Sequence, residues 1–110
     1  MIDWAKVNEL REEIGDEDFA EVVELFLEEV EEVINRLREG LPDPQLESCL
    51  HFLKGSALNL GFEEFSVLCA DGEQAAARGN YGAVDLTSVI TCYDESKERF
   101  LSELPGRIAA

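Results

Sequence analysis

Basic side chains are scarce in this sequence. Its 110 residues include nine Lys and Arg against 25 Asp and Glu, which gives a formal net charge of −16. Such a surface repels the phosphate backbone of nucleic acids and the headgroups of an anionic membrane, and the few basic residues do not cluster. We therefore expect neither a nucleic-acid ligand nor a membrane partner.

Long hydrophobic runs are missing as well. The chain starts without the basic region and apolar stretch of a signal peptide, and it lacks the apolar run of about 20 residues that a membrane span needs. These absences predict a cytoplasmic protein.

Metal-binding and disulfide patterns are also absent. Three cysteines, Cys49, Cys69 and Cys92, lie far apart, and an odd number without paired spacing is typical of a reducing compartment. The single histidine, His51, excludes the paired Glu-x-x-His motifs of di-metal bundles, and no close Cys and His spacing suggests zinc. We expect no metal or cofactor, with the cysteines filling the core.

Helical periodicity is what the sequence does contain. Apolar residues recur at steps of three and four, only three prolines interrupt them, and no strand-like alternation competes. The pattern predicts an all-α fold in one domain, residues 1–110, built as an antiparallel up-down four-helix bundle with a short N-terminal capping helix, and we expect a monomer. The expected helices run from Asp3 to about Glu13, from Asp16 to the break at Gly40, from Asp43 and Pro44 to Gly61, from Glu63 to Ala77, and from Ala83 to Leu104, where Pro105 and Gly106 end the last one.

One surface of the third helix has an unusual composition. If its leucines form the buried stripe, His51 is left at least partly exposed, with Lys54 and Gly55 beside it on the same face. A glycine inside a helix costs roughly 1 kcal/mol relative to alanine, so Gly55 requires a reason. The predicted stripe consists of Leu46, Leu50, Leu53, Ala57 and Leu60.

This stretch resembles the signature of the histidine-containing phosphotransfer (HPt) domains, which reads His-x-x-Lys-Gly-Ser followed by Leu-Gly. The resemblance implies a phosphorelay intermediate that accepts a phosphoryl group on His51 from a receiver-domain phospho-aspartate, or from a hybrid histidine kinase, and passes it to a response regulator. It further implies a carrier rather than an enzyme, with the Mg²⁺ ion held by the receiver domain. The chain has no glycine-rich nucleotide loop, so we expect no ATP binding. The matching residues are His51, Lys54, Gly55, Ser56, Leu60 and Gly61.

The resemblance also suggests roles around His51. Lys54 would offset the charge of the phosphoryl group, and Gly55 would leave room for the partner. Counting back from Gly61 along antiparallel helices puts the neighbours of His51 near position 71, within about one turn. A polar side chain there commonly orients the histidine in this family, so Glu73 and Gln74 are both candidates. A carboxylate would hold the ring but disfavour the phosphorylated state, whereas an amide would not, and the choice stays open. Gly72 stands where the family usually has a larger apolar residue.

A docking surface is expected next to the histidine. Phe52, Leu58 and Phe62 fall outside the buried stripe and predict a hydrophobic patch for a receiver domain. The other interpretation of Phe62 is that it seals the turn after the third helix. An alternative function keeps the fold and the partner but drops the chemistry, leaving a docking module that binds receiver or kinase domains without phosphotransfer.

Overall fold

The computed structural model describes residues 2–40 and 42–108, so residues 1, 41, 109 and 110 of the predicted domain lie outside the described residues. Within these ranges the chain is an antiparallel bundle of α-helices, which confirms the predicted fold class. Two short 3₁₀ turns, Asp43–Gln45 and Tyr81–Ala83, precede the third and fifth helices. The five helices are α1 (Trp4–Ile14), α2 (Asp16–Glu39), α3 (Leu46–Leu60), α4 (Glu63–Ala77) and α5 (Leu86–Ile108).

Helices α1 and α2 are separated by one glycine. Asp3, where the sequence predicts the first helix to begin, caps α1 by accepting a hydrogen bond from the backbone N–H of Lys6 at 3.3 Å. Gly15 ends α1 and begins α2 with φ 96°, a backbone conformation that favours glycine. Asp16 therefore lies in the first turn of α2 rather than at its cap. The buried stripe of α2 passes through Val23 and Leu27, while Phe26 is only half-buried.

The hairpin of α3 and α4 agrees with the sequence prediction in its buried stripe and in the bounds of α4. All five residues of the predicted α3 stripe are buried, and α4 has the predicted bounds. The start of α3 differs, because Asp43 and Pro44 form a 3₁₀ turn before the α-helix begins at Leu46. Gly61 ends α3 with φ 75°, and its carbonyl accepts a hydrogen bond from the backbone N–H of Asp3 at 2.7 Å.

Helix α5 differs from its prediction at both ends. It begins at Leu86 rather than Ala83, because Asp85 caps it by accepting hydrogen bonds from the backbone N–H and the hydroxyl of Ser88, at 3.0 and 2.7 Å. It also continues through Pro105. Arg107 beyond the proline lies 5.1 Å over the ring of Trp4, and this tertiary contact stabilises the last turn.

Aromatic rings join the capping helix and the bundle into one core. Phe62 lies against Phe100 and Tyr93 with ring centroids 5.4 and 6.4 Å apart, and Trp4 of α1 stacks on Phe100 at 5.6 Å. Ion pairs from Arg38 to Asp94 and from Lys97 to Glu31 join α2 to α5.

The three cysteines are buried and unpaired, as predicted. Burial raises the pKa of Cys69 to about 12, which keeps its thiol protonated and unreactive. Among the described residues, none of the helices combines the length and apolar character that a bilayer crossing requires.

Candidate functional site

His51 projects from the middle of α3 toward solvent. Its side chain is 70% exposed, as the leucine stripe of the helix predicts. Leu50 and Leu53 on either side of it are fully buried, so they fix the rotation of the helix that holds the imidazole outside. The ring is therefore anchored through its backbone and accessible to another molecule.

One carboxylate contacts two of the predicted site residues on α3. Glu73 of α4 has Oε2 at 2.8 Å from His51 Nδ1 and Oε1 at 2.6 Å from Lys54 Nζ. The carboxylate is mostly shielded, at 18% exposure, and Lys54 is 31% exposed. Hydrogen bonds from Lys54 and, to a smaller extent, His51 hold the pKa of Glu73 below its ordinary value. Glu73 is thus an anion that accepts from two donors.

This contact assigns the hydrogen positions on the imidazole. An ionised carboxylate can only accept a hydrogen bond, so Nδ1 of His51 carries the hydrogen and donates it to Glu73. In the neutral ring the lone pair then lies on Nε2, which points away from Glu73. Nε2 is the atom available as a nucleophile.

The choice left open by the sequence falls on Glu73. Counting along the antiparallel helices puts the neighbours of His51 within a turn of position 71, and Glu73 lies in that window. Gln74 is exposed, and the contact with His51 Nδ1 is made by Glu73 instead. The pairing of Glu73 with Lys54 was missed by the sequence reasoning. Its only signal was opposite charge on two facing helices, which two long side chains can bridge.

Gly55 leaves the helix surface beside His51 bare. Apart from its chain neighbours and the adjacent backbone of α3, a Cβ atom built on this residue meets no atom of the described residues within 4 Å, so packing does not require the glycine. Its helical backbone does not need glycine either, since its φ is not positive. Neither backbone conformation nor packing among the described residues accounts for Gly55.

The similarity to a known family extends well beyond the motif around His51. The Hpt domain model matches residues 21–99, which extends from α2 into α5 and includes His51, Lys54 and Glu73. The chain belongs to the Hpt domain family. Helix α1 lies outside the matched region of this Hpt domain.

The chain is also similar to a curated protein with a related role. The chain is 32% identical over 101 residues to the phosphorelay intermediate protein YPD1 of Candida albicans. The aligned region covers 87% of this chain and 55% of the relative, so the Hpt domain described here spans about half the length of that protein. No solved structure gives a significant match.

At Gly72, next to Glu73, helices α3 and α4 of this Hpt domain pack closely. A Cβ at Gly72 would lie 3.0 Å from Leu50 Cδ1 and 3.4 Å from Val84 Cγ1. The space that a larger residue would fill is therefore taken by these two side chains. The missing side chain lets Leu50 pack directly on the backbone of α4, one residue before the carboxylate that contacts His51.

The expected docking patch is only partly present. Phe52 is 37% exposed and Leu58 is 54% exposed, so both are available on the surface of α3. Phe62 is 1% exposed, and the expectation that it contributes to the patch is wrong. It packs on Tyr93 and Phe100, which agrees with the alternative that it seals the turn.

A groove between α2 and α3 continues from Phe52. Helix α3 contributes Phe52, and helix α2 contributes the cation Arg36 and two carboxylates. The Phe52 side of the site thus has mixed charge. The groove is lined by Glu29, Glu32, Val33, Arg36, Ser48, Cys49 and Phe52.

Proposed function

We propose that this Hpt domain is a phosphorelay intermediate that accepts a phosphoryl group on Nε2 of His51 from the phospho-aspartate of a receiver domain and passes it to a second receiver. The observation that carries the proposal is an exposed imidazole whose Nδ1–H is fixed by Glu73, which leaves Nε2 free for attack. The family match and the phosphorelay relative support the same function.

The transfer is a displacement at phosphorus. The lone pair of Nε2 forms an N–P bond, the P–O bond to the partner aspartate breaks, and the electron pair remains on the departing carboxylate. The hydrogen on Nδ1 stays between the ring and Glu73, which keeps the imidazole in the tautomer and orientation that expose Nε2. Return transfer to a receiver reverses these bonds.

The rest of the chemistry belongs to the partner. We propose that the receiver domain supplies the Mg²⁺ ion and the acidic pocket, so that this chain acts as a carrier and substrate rather than as a kinase. Sensor or hybrid histidine kinases are the corresponding upstream partners. Phe52 and Leu58 would contact the receiver beside the reacting atoms, and the bare surface at Gly55 would allow its close approach.

Transfer from a phosphorylated receiver tests the proposal. A receiver domain is phosphorylated with acetyl phosphate and Mg²⁺, freed of the donor and incubated with the chain, and the products are followed by ³¹P NMR. We expect a phosphohistidine signal that is lost in acid and stable in base, as an N–P bond requires. His51→Gln should fold with unchanged helix content and give no such signal.

Two results would contradict the proposal. Labelling of His51→Gln at the wild-type level would place the phosphoryl group elsewhere. Tight binding of a phosphorylated receiver without any phosphohistidine on the wild-type chain would instead support the docking module without phosphotransfer.

A further inference from the structure

Lys54 is already engaged before any phosphoryl group arrives. Its ammonium lies 2.6 Å from Glu73 Oε1, while the other oxygen of the same carboxylate contacts His51. The charges of Lys54 and Glu73 cancel in this state. The cation that would neutralise a phosphoryl group on His51 is therefore bound to an internal anion.

Phosphorylation changes what Lys54 can bind. The new group on Nε2 brings about two negative charges, and Lys54 lies one turn along the same face of α3. If Lys54 turns toward the phosphoryl oxygens, Glu73 loses its cation. A carboxylate that is only 18% exposed then faces a dianion across the imidazole ring without its ion pair, which is unfavourable.

We propose that Glu73 and the phosphoryl group compete for Lys54, so that Glu73 shifts the phosphoryl equilibrium away from His51 and toward the receiver aspartate. This inference rests on the proposed function. Glu73 acts here as a positioning residue with a second effect, because it orients Nδ1 and also withholds the cation from the phosphorylated state. The domain is thereby suited to passing a phosphoryl group on rather than storing it.

The neutral isostere separates the two effects of Glu73. Glu73→Gln keeps an oxygen that accepts the hydrogen bond from Nδ1 but cannot form an ion pair with Lys54, whereas Glu73→Ala removes both. Glu64→Gln is the matched control. It removes one carboxylate from an exposed position of the same helix, about 13 Å from residue 73 along the axis.

The equilibrium ratio of phosphohistidine to phospho-aspartate is measured by ³¹P NMR, starting from either phosphorylated partner. We expect Glu73→Gln to raise this ratio on the order of fivefold, and Glu64→Gln to leave it within about twofold of wild type. Glu73→Ala should also raise the ratio but reach equilibrium more slowly, because the ring has lost its orientation. A ratio in Glu73→Gln within about twofold of wild type, or below it, would overturn the inference.

A second measurement needs no receiver. Phosphoramidate phosphorylates histidine directly, with its P–N bond breaking and ammonia leaving as the Nε2–P bond forms. We expect the NMR signals of the Lys54 side chain to shift on phosphorylation of the wild-type chain, and to shift at least as much in Glu73→Gln, where no ion pair with residue 73 holds Lys54 back. Unchanged Lys54 signals would overturn the proposal that Lys54 moves from Glu73 to the phosphoryl group. Absence of transfer from any receiver would refute the proposed function instead, and the phosphoramidate experiment would still decide whether Lys54 moves.

Discussion

Glu73 connects the two helices of the site through a single carboxylate. Its two oxygens bind donors that lie three residues apart on α3, so one residue orients both the nucleophile and the neighbouring cation. A helix presents positions three apart on one face, which is why one acceptor can reach both. The same contact determines which nitrogen of His51 is free.

The lowered pKa of Glu73 predicts how the site depends on pH. The unfolded chain has the ordinary Glu pKa of about 4.3, so the pairing with Lys54 contributes its full stability above that value and loses it as pH falls through the lower folded value. We expect Lys54→Met, which removes the largest cause of the shift, to be less stable than wild type near neutral pH. The difference should narrow below about pH 4. Urea unfolding at several pH values measures it, and a difference that widens as pH falls would contradict the assignment.

Gly55 predicts a separation of stability from function. Its Cβ position is open, so Gly55→Ala should raise the free energy of unfolding by about 0.5–1 kcal/mol through helix propensity. Phosphotransfer should nevertheless fall, and Gly55→Arg should abolish it while helix content is retained, because we propose that the partner approaches over this surface.

Gly72→Ala is the control for the stability change. It is also a glycine within a helix, but its Cβ would press on Leu50 at 3.0 Å, so it should not stabilise the domain. Wild-type transfer rates in Gly55→Arg would show that close approach at this position is not needed.

At the level of elements, the turn between α3 and α4 anchors the capping helix. Gly61 has φ 75°, and a Cβ there would lie 2.6 Å from the carbonyl oxygen of Asp3, the N-cap of α1. The turn therefore demands glycine twice, once for its backbone conformation and once for the close approach of α1.

A pair of glycines separates these two demands. Gly79 has φ 74° with nothing near its Cβ position, so Gly79→Ala should cost about 1 kcal/mol for the left-handed conformation alone. Gly61→Ala should cost at least about 3 kcal/mol, because α1 must also move. Urea unfolding of both variants checks this, and equal costs would show that the contact with Asp3 contributes nothing.

Across the whole molecule, excess negative charge opposes folding. The sequence carries a net charge of −16, and the described residues fit within 46 × 21 × 21 Å, so like charges repel each other over short distances. We expect the monomer predicted from the sequence to persist in solution, since the apolar stripes close on one core.

Salt should therefore stabilise this domain. Raising NaCl from about 0.05 to about 0.5 M screens the net repulsion, and we expect the free energy of unfolding to rise by on the order of 1 kcal/mol. Light scattering at both concentrations provides the control, because association would also stabilise the fold. A decrease in stability would show that the ion pairs of Arg38 and Lys97 outweigh the repulsion.

The fold could be predicted because its signals are local. Apolar spacing and the glycine at position 61 each act within a turn or two, and they were enough to predict the helix order and the bounds of α4. His51, Lys54 and Gly55 share a helix face for the same reason, so the centre of the site could be read from sequence.

Tertiary structure decided the remaining features, because they depend on distances between helices. The contact of Glu73 with both Lys54 and His51 requires the spacing between α3 and α4, which Gly72 and Leu50 set by direct packing. The burial of Phe62 and the continuation of α5 past Pro105 depend on α1 and on rings far away in sequence. Local sequence patterns do not specify the distance between two helices. The contacts between side chains of different helices therefore depend on how the bundle packs.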